Sequence, residues 1–378
     1  MKNFIIKEIC TNEMTQELER IGFDKTYTTQ GALKFKYKNI KIYSLTNPQA
    51  NILKQTALSV GADCATHREV ITAKVEKSDC ILGGSISQLK KISSKLAFQP
   101  FGLKALGEEI EKFISCKKSG KTKIVGILNL TPDSFSDGGE FLDYEKAKEH
   151  FQYMVTSGAD IIDIGAESAR PYSTPVSGKA QIERIIPILK FAKENGILIP
   201  LSVDTRSAEV AEKCILEGAQ IINDVSGFDY DKDMADVIAK YGVKVVIQHS
   251  LSDPQTMQIN PHYESLTDEI YLKLKEKVDF ALSKGIAKEN IIVDPGIGFG
   301  KTREDNFEII RRIEEFYGLG CEVMLGVSRK SLLGMSEETN EIKDIFTVAL
   351  NTLAVEKKVD YIRVHNVSLH KKLLECLG

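Results

Sequence analysis

From Lys123 onward, the chain alternates between short apolar runs and longer stretches with apolar residues at helical spacing. Short apolar runs are typical of strands that are buried on both faces. Eight such runs, each leading toward a helical pattern, predict a (β/α)8 barrel of the α/β class over residues 121–378. The predicted strands are 124–130, 161–164, 199–203, 221–223, 243–247, 291–293, 322–325 and 361–364, and the clearest helices are 144–157, 179–193, 208–217, 263–284 and 342–357.

A doubly wound open sheet is the alternative architecture for this alternation. Such a sheet would carry a glycine-rich dinucleotide fingerprint, G-x-G-x-x-G, after its first strand. The residues after the first predicted strand read Thr131-Pro132-Asp133 and contain no such pattern. The barrel is therefore the preferred interpretation.

Residues 1–120 show a different pattern, which predicts a separate small α/β domain before the barrel. Its strand-like runs and helical patterns are followed by a polar linker at 115–121. Asp63, Cys64, His67 and Arg68 lie close together in the sequence, and we interpret them as loop and helix-start residues. The pattern does not assign a role to this domain. The predicted strands are 33–45 and 80–82, and the predicted helices are 47–60, 87–98 and 103–113.

Charge is distributed unevenly between these two parts. Residues 1–120 contain 19 Lys and Arg against 12 Asp and Glu, and the remainder contains 31 against 41. The basic part has lysines that alternate with apolar residues over 34–42, which is typical of a solvated strand face. We therefore expect neither nucleic-acid binding nor a membrane partner, and no segment approaches the roughly 20 apolar residues of a membrane span.

Cysteine usage and the N-terminus bear on the compartment. The seven cysteines are scattered without C-x-x-C spacing, which argues against a disulfide framework and against a zinc site. The first apolar run, at residues 4–6, is too short for the core of a signal peptide. These features predict a cytoplasmic protein with reduced thiols.

Polar side chains follow every predicted strand. The carboxyl ends of the strands in a (β/α)8 barrel converge on one rim, which is where active sites of this fold lie. We therefore expect a functional rim at this end. The residues concerned are Asn129, Asp133, Asp137, Glu167, Ser168, Arg170, Asp204, Arg206, Asn223, Asp224, Gln248, His249, Asp294, Lys301, Arg329, Lys330, Ser331, Arg363 and His365.

The rim residues offer two kinds of chemistry. Arg170, Lys330 and Arg363 are cations suited to phosphate oxygens, and Asn129 is a neutral oxygen ligand suited to a hydrated Mg²⁺. Asp204, Asn223 and Asp294 could accept hydrogen bonds from the donor-rich edge of a flat heterocycle. Each carboxylate alone could equally be a helix N-cap, and this is the preferred interpretation for Asp224.

The sequence resembles the dihydropteroate synthase family over residues 123–378. The first matching block is KIVGILNLTPDSFSDGG at 123–139. The N-terminal domain is similar to the extension of long-form members. The other blocks are IIDIGAESARP (161–171), SVDT (202–205), IND (222–224), DPGIGFGK (294–301), SRKS (328–331) and RVHNV (363–367).

This resemblance implies a Mg²⁺-dependent transferase of folate biosynthesis, a sulfonamide target and a homodimer. The implied reaction condenses (7,8-dihydropterin-6-yl)methyl diphosphate with 4-aminobenzoate. Asp137, Asp204, Lys330 and Arg363 would be catalytic. Asp204, Asn223, Asp294, Lys330 and Arg363 would hold the pterin; Asn129, Arg170, Arg363 and His365 the diphosphate; Phe135, Pro171, Phe299, Lys330 and Ser331 the aminobenzoate; and Asn129 the metal.

Some positions depart from the family pattern, and two other functions remain open. Ala169 and Tyr172 stand where a hydroxyl residue and Gly are usual, which bears on pocket shape and sulfonamide sensitivity. A pterin-binding methyltransferase that acts on methyltetrahydrofolate would share the barrel, but it handles no diphosphate. A non-catalytic pterin-binding paralogue with a regulatory role would not need to retain Asn129, Arg170, Lys330, Arg363 and His365.

Overall fold

The computed structural model divides the chain into two compact units, Met1–Lys117 and Lys118–Gly378. It describes residues 7, 14–115, 120–130, 139–167, 176–251, 261–330 and 338–378, with only the backbone for 139–143. Among these residues, no helix combines the length and the apolar character that crossing a membrane requires.

The first unit is a three-stranded antiparallel sheet, in the order β1-β3-β2, packed against helices. Its core contains Leu53 from α3, Leu82 from β3 and Leu89 from α4, all fully buried. Ser85 caps α4 because its hydroxyl accepts from the Gln88 N–H. The elements are α1 (Met14–Arg20), α2 (Thr28–Ala32), β1 (Tyr37–Thr46), α3 (Asn47–Leu58), β2 (Asp63–Thr66), β3 (Lys77–Ser85), α4 (Ile86–Leu96) and α5 (Leu103–Ser115).

Part of this unit differs from the prediction. Strand β2 was not predicted, and it contains Asp63 and Cys64, so their interpretation as loop residues was wrong. The strand has four residues and pairs with β3 at the edge of the described sheet, which leaves little periodicity to recognise. His67 agrees with the prediction, because its Nδ1 accepts from the Glu69 N–H at 3.2 Å and caps a 3₁₀ turn.

The second unit confirms the predicted (β/α)8 barrel. Eight parallel strands close in the order β10-β11-β4-β5-β6-β7-β8-β9. The strands are β4 (Lys123–Asn129), β5 (Ile161–Gly165), β6 (Leu201–Asp204), β7 (Ile221–Asp224), β8 (Lys244–Gln248), β9 (Ile291–Asp294), β10 (Glu322–Leu325) and β11 (Tyr361–Val364), and the helices are α6 (Gly139–Thr156), α7 (Gly178–Glu194), α8 (Ala208–Leu216), α9 (Met234–Tyr241), α10 (Leu266–Ser283), α11 (Arg303–Arg311), α12 (Asn340–Glu356) and α13 (Val367–Leu377).

Strand β6 begins two residues later than predicted, at Leu201 instead of Ile199. Pro200 precedes it and has no N–H to donate to a strand ladder, although its carbonyl accepts from Ile162 at 3.3 Å. The regular pairing therefore begins after the proline.

Apolar residues fill the barrel interior toward the amino ends of its strands. One residue from each of seven strands forms a buried cluster there, as layered packing inside this fold requires. These residues are Val125, Ile161, Ile221, Val246, Ile292, Met324 and Tyr361. The interior at the opposite end of the strands is polar, and that end contains the candidate site.

Candidate active site at the carboxyl ends of the strands

Arg363 of β11 lies at the centre of the polar end of the barrel. Its Nε donates to Asp163 Oδ2 at 2.6 Å, and its Nη2 donates to Asp204 Oδ2 at 2.7 Å. Two carboxylates thus hold the guanidinium from two sides, which fixes its plane. No described residue bonds to Nη1, so that nitrogen and the flat faces of the group remain for a ligand.

Asp163 is a site residue that the sequence analysis missed. It is fully buried in β5 and also accepts from Ser202 Oγ at 2.6 Å and from Asn223 Nδ2 at 3.0 Å. The amide nitrogen of Asn223 faces the carboxylate, so Asn223 Oδ1 is the atom left for a ligand. The signal was a charged residue in the middle of the apolar run IIDIG, whereas the predicted site residues lie near the carboxyl ends of the strands or in the loops beyond them.

Asp294 and Lys330 form a second charged group at this end. Asp294 is buried, and its Oδ1 accepts from the Gly296 N–H at 2.7 Å. Lys330 Nζ donates to the carbonyl of Ile297 and lies 4.5 Å from the centre of the Phe299 ring. The structure therefore brings the predicted aminobenzoate residues Phe299 and Lys330 together.

Gly296 is required by the close approach of two loops. Its φ is +72°, and a Cβ there would lie 1.8 Å from the carbonyl oxygen of His249. Only glycine avoids both the strained backbone and this clash. The loop after β9 can therefore pass close enough to place Phe299 near Lys330.

Burial shifts the pKa values of these groups toward their neutral forms. It raises the pKa of Asp204 to about 7, against the opposing charge of Arg363. It raises the pKa of Asp294 as well, which the charge of Lys330 opposes. It lowers the pKa of Lys330 to about 8, although Asp294 favours the ammonium. Opposed shifts of this kind cluster at functional sites.

Asn129 lies at the end of β4, the position predicted for a metal contact. Gly165 of β5 has no side chain, which leaves space for that of Asn129. Asn129 Oδ1 lies 3.7 Å from the position that a Cβ on Gly165 would occupy. No described residue donates to this oxygen. Among the residues the structure describes, no three His, Cys, Asp or Glu side chains group as a metal site. The arrangement suits a metal held by one amide oxygen, waters and substrate oxygens, as Mg²⁺ often is.

His365 follows β11 and is fastened to the loop after β10. Its Nδ1 lies 2.9 Å from Ser328 Oγ, and its backbone N–H donates to the same oxygen at 3.1 Å. This contact places the imidazole beside the loop that contains Lys330. A role in binding diphosphate stays a prediction.

Several other residues of the predicted rim have structural partners. Arg206 pairs with Glu167 at 3.0 Å and stacks on Tyr230, with 4.4 Å to the ring centre. Lys301 Nζ lies 3.0 Å from His249 Nδ1, and both side chains are buried. Burial lowers the pKa of Lys301 to about 7 and, with the charge of Lys301, lowers the pKa of His249 well below its usual value.

Asp224 does not cap a helix, so that interpretation was wrong. Its carboxylate accepts from the backbone of Ser226 at 2.9 Å and of Phe228 at 2.7 Å, whereas α9 begins only at Met234. The loop at 224–228 is long enough to need its own cap. Seven predicted site residues lie outside the described residues: Asp133, Phe135, Asp137, Ser168, Arg170, Pro171 and Ser331.

The sequence of the barrel is similar to that of known enzymes. Residues 125–365 match the pterin binding enzyme family, so the barrel is that of a pterin-binding enzyme. The dihydropteroate synthase of Clostridium beijerinckii is 45% identical over 249 residues, which are 65% of this chain and 90% of the relative. The chain belongs to the dihydropteroate synthase family of folate biosynthesis, and it is a transferase.

A solved structure agrees with this placement over the barrel. The dihydropteroate synthase of Clostridium difficile, crystallised in the presence of pteroic acid, has a TM-score of 0.64 and 39% identity. The match covers 69% of this chain and 97% of that one. Fold and family thus agree for the same part of the sequence.

Two other relatives extend into the first unit. The bifunctional dihydropteroate synthase/dihydropteroate reductase of Helicobacter pylori is 33% identical over 375 residues, 98% of this chain and 97% of the relative. A probable bifunctional folylpolyglutamate synthase/dihydropteroate synthase of Halobacterium salinarum is 36% identical over 329 residues, 84% of this chain. The chain spans 40% of that second relative's length.

Proposed function

We propose that the chain joins (7,8-dihydropterin-6-yl)methyl diphosphate to 4-aminobenzoate and releases pyrophosphate. The observation that carries this proposal is the convergence of Asp204, Asn223, Asp294, Lys330 and Arg363 at one end of the barrel. These groups present oxygens to the donor-rich edge of a pterin and cations to its acceptors. The family membership supports the synthase over the methyltransferase and over the non-catalytic paralogue.

Arg363 has two roles in this proposal. Its guanidinium face stacks on the pterin, and the carboxylates of Asp163 and Asp204 keep that face fixed. Only Nη1 is without a described partner, so a diphosphate oxygen would bind there. His365 and Arg170 would complete the anion site.

The chemical step is a substitution at the pterin methylene. The C–O bond breaks with its electron pair going to diphosphate, and the aminobenzoate nitrogen then forms the new C–N bond and loses a proton. Asp137 would stabilise positive charge at the methylene. Asn129 and substrate oxygens would hold Mg²⁺, whose positive charge favours departure of the diphosphate.

The aminobenzoate would lie against Phe299, with Lys330 nearby. The ring offers an apolar face, and the ammonium 4.5 Å from the ring centre offers a charge. Phe135, Pro171 and Ser331 are proposed to complete this pocket. The substrate's carboxylate needs the cation, and its ring needs the apolar wall.

The test is pyrophosphate release by the purified full chain. We expect release with Mg²⁺ only when both the pterin diphosphate and 4-aminobenzoate are present. Removal of the metal with a chelator should abolish it, and added Mg²⁺ should restore it. A chain that is folded and releases no pyrophosphate under these conditions contradicts the proposed reaction.

We propose dihydropteroate reduction as a second activity of the chain. The observation that favours it is alignment with the bifunctional Helicobacter pylori relative over both units, not over the barrel alone. A reduced nicotinamide would give a hydride to C6 of 7,8-dihydropteroate, and N5 would take a proton. We expect the full chain to oxidise NADH or NADPH only when dihydropteroate is present; oxidation that is independent of dihydropteroate contradicts this activity.

We also propose that the chain is a homodimer. Helix α12 exposes a set of large apolar side chains, which is unfavourable in a monomer. These are Ile345, Phe346 and Leu353, with 62%, 37% and 48% of their surfaces exposed. Light scattering should give twice the 42.0 kDa mass, and Ile345→Glu should halve it. A monomeric wild-type chain contradicts this proposal.

A further inference from the structure

Arg329 occupies a backbone conformation that needs support. Its φ is +54°, in the left-handed region that non-glycine residues seldom adopt. An L-residue adopts this conformation only at an energetic cost, which other contacts must offset. Arg329 directly precedes Lys330 in the chain. The backbone turn at Arg329 therefore determines the direction in which the Lys330 side chain points.

Helix α12 supplies that support. Asp344 accepts from Arg329 Nε and from Nη2, both at 2.8 Å, and its side chain is only 6% exposed. Thr347, three residues further along the same helix face, accepts from the Arg329 backbone N–H at 3.3 Å. Burial alone would raise the pKa of Asp344, but the bonds from Arg329 and Asn366 lower it, so the carboxylate stays ionised.

The same carboxylate also holds the next loop of the barrel. Asn366 Nδ2 donates to Asp344 Oδ2 at 3.1 Å. Asn366 follows His365 and caps α13, because its Oδ1 accepts from the Leu369 N–H at 3.1 Å. One carboxylate therefore fastens the loops after β10 and β11, each next to a proposed site residue.

We propose that Asp344 is a positioning residue that clamps these two loops and thereby fixes Lys330 and His365 for the reaction. It acts from α12 and makes no contact with substrate itself. This inference rests on the proposed function for its effect on rate. Its geometric part, the placement of Lys330, can be measured without turnover.

The first experiment is Asp344→Ala in the full chain, measured by pyrophosphate release. We expect kcat/KM to fall by about 100-fold, since a displacement of about 1 Å in a positioned group has that effect. Glu315→Ala is the matched control. Glu315 forms the same two-pronged pair with Arg312, at 2.7 and 2.9 Å, on an exposed surface of the 3₁₀ turn before β10. That variant should keep wild-type kcat/KM.

The second experiment separates positioning from folding. Arg329→Gly can keep a positive φ without strain. Arg329→Ala loses the bonds to Asp344 and can adopt a positive φ only at an energetic cost. We expect Arg329→Gly to retain more activity than Arg329→Ala, and the double variant Arg329→Ala/Asp344→Ala to be no worse than either single variant. Additive losses in the double variant would show that Arg329 and Asp344 act independently and would overturn the clamp.

A third readout is the rate at which a lysine-acetylating reagent modifies Lys330, followed by mass spectrometry of the peptide. We expect modification to be several-fold faster in Asp344→Ala than in wild type and unchanged in Glu315→Ala. If the wild-type chain turns over substrate and Asp344→Ala changes neither kcat/KM nor the acetylation rate, the clamp is overturned and the proposed reaction is not. Absence of wild-type turnover overturns the proposed reaction, and the acetylation rates then still decide the clamp.

Discussion

The two ends of the barrel interior are built from the same strands and have opposite chemistry. Toward the amino ends, apolar side chains such as Val125, Ile221 and Met324 fill the space. Toward the carboxyl ends, the side chain of Asp163 is fully buried, and it pairs with the half-buried guanidinium of Arg363. Burial of charge is costly even when it is paired, and hydrophobic residues of equal volume often stabilise a protein as well or better. The polar end therefore lowers the stability of the barrel, and in return it provides the candidate site.

The largest expected effect comes from the centre of the polar end. Arg363→Ala should lower kcat/KM for pyrophosphate release by about 1,000-fold, comparable to loss of a preorganised electrostatic group. It removes the stacking face and the Nη1 donor, and it leaves Asp163 and Asp204 without their shared cation. Steady-state kinetics measure the loss. Turnover close to wild type would show that the polar end does not bind the diphosphate substrate.

The next effect tests the residue inside the strand. Asp163→Ala should lower kcat/KM by about 100-fold by freeing Arg363 and Asn223. Asp163→Asn should lose less, because an amide oxygen in place of Oδ2 still accepts from both. Ser202→Ala is the control, since it removes a donor that touches no proposed substrate group. Equal activity of all three variants would mean that Asp163 serves packing alone.

The pH profile tests whether the buried charges act in the reaction. The pKa of Asp204 is about 7 and that of Lys330 about 8. Binding needs the carboxylate and the ammonium, so kcat/KM should rise tenfold per pH unit below about 7 and fall above about 8. A flat profile across this window contradicts these roles.

The same shifts have a consequence for stability. Burial raises the pKa of Asp204 from an unfolded value of about 3.9, so between about pH 4 and 7 the folded state binds this proton more tightly than the unfolded state. The contribution of Asp204 to stability is therefore full below that window and is lost as pH rises through it. Denaturant melts of Asp204→Asn should lack this part of the pH dependence.

The smallest effect on turnover is expected at the apolar end. Met324→Ala removes a side chain that is 97% buried and should lower the free energy of unfolding by about 2–5 kcal/mol. The kcat of the folded enzyme should stay at the wild-type value. Denaturant titration and kinetics on the same sample measure the two quantities. A large loss of kcat at full folding would erase the distinction between the two ends.

The periodicity of apolar and polar residues determined the barrel. Eight apolar runs predicted eight strands, because a strand that is buried on both faces must be apolar along its length. Residues at the carboxyl ends of the strands, such as Asp204, Asn223 and Asp294, could be assigned to one rim since all parallel strands end on the same side. Strand β2 was not predicted, because a short strand in a small sheet has too few residues to show an alternation of apolar and polar positions.

Only the tertiary structure decided which polar groups meet. Asp163 and Arg363 are 200 residues apart and join because barrel closure brings β11 beside β4 and, next to it, β5. Arg329 was predicted as one of the polar rim residues, but α12 lies beside it and pairs it with Asp344. A sequence specifies which side chains are available and which strand end they follow. Which side chains become partners depends on the directions in which they point. These directions are fixed only after the barrel has closed, because closure sets the distances between strands and helices.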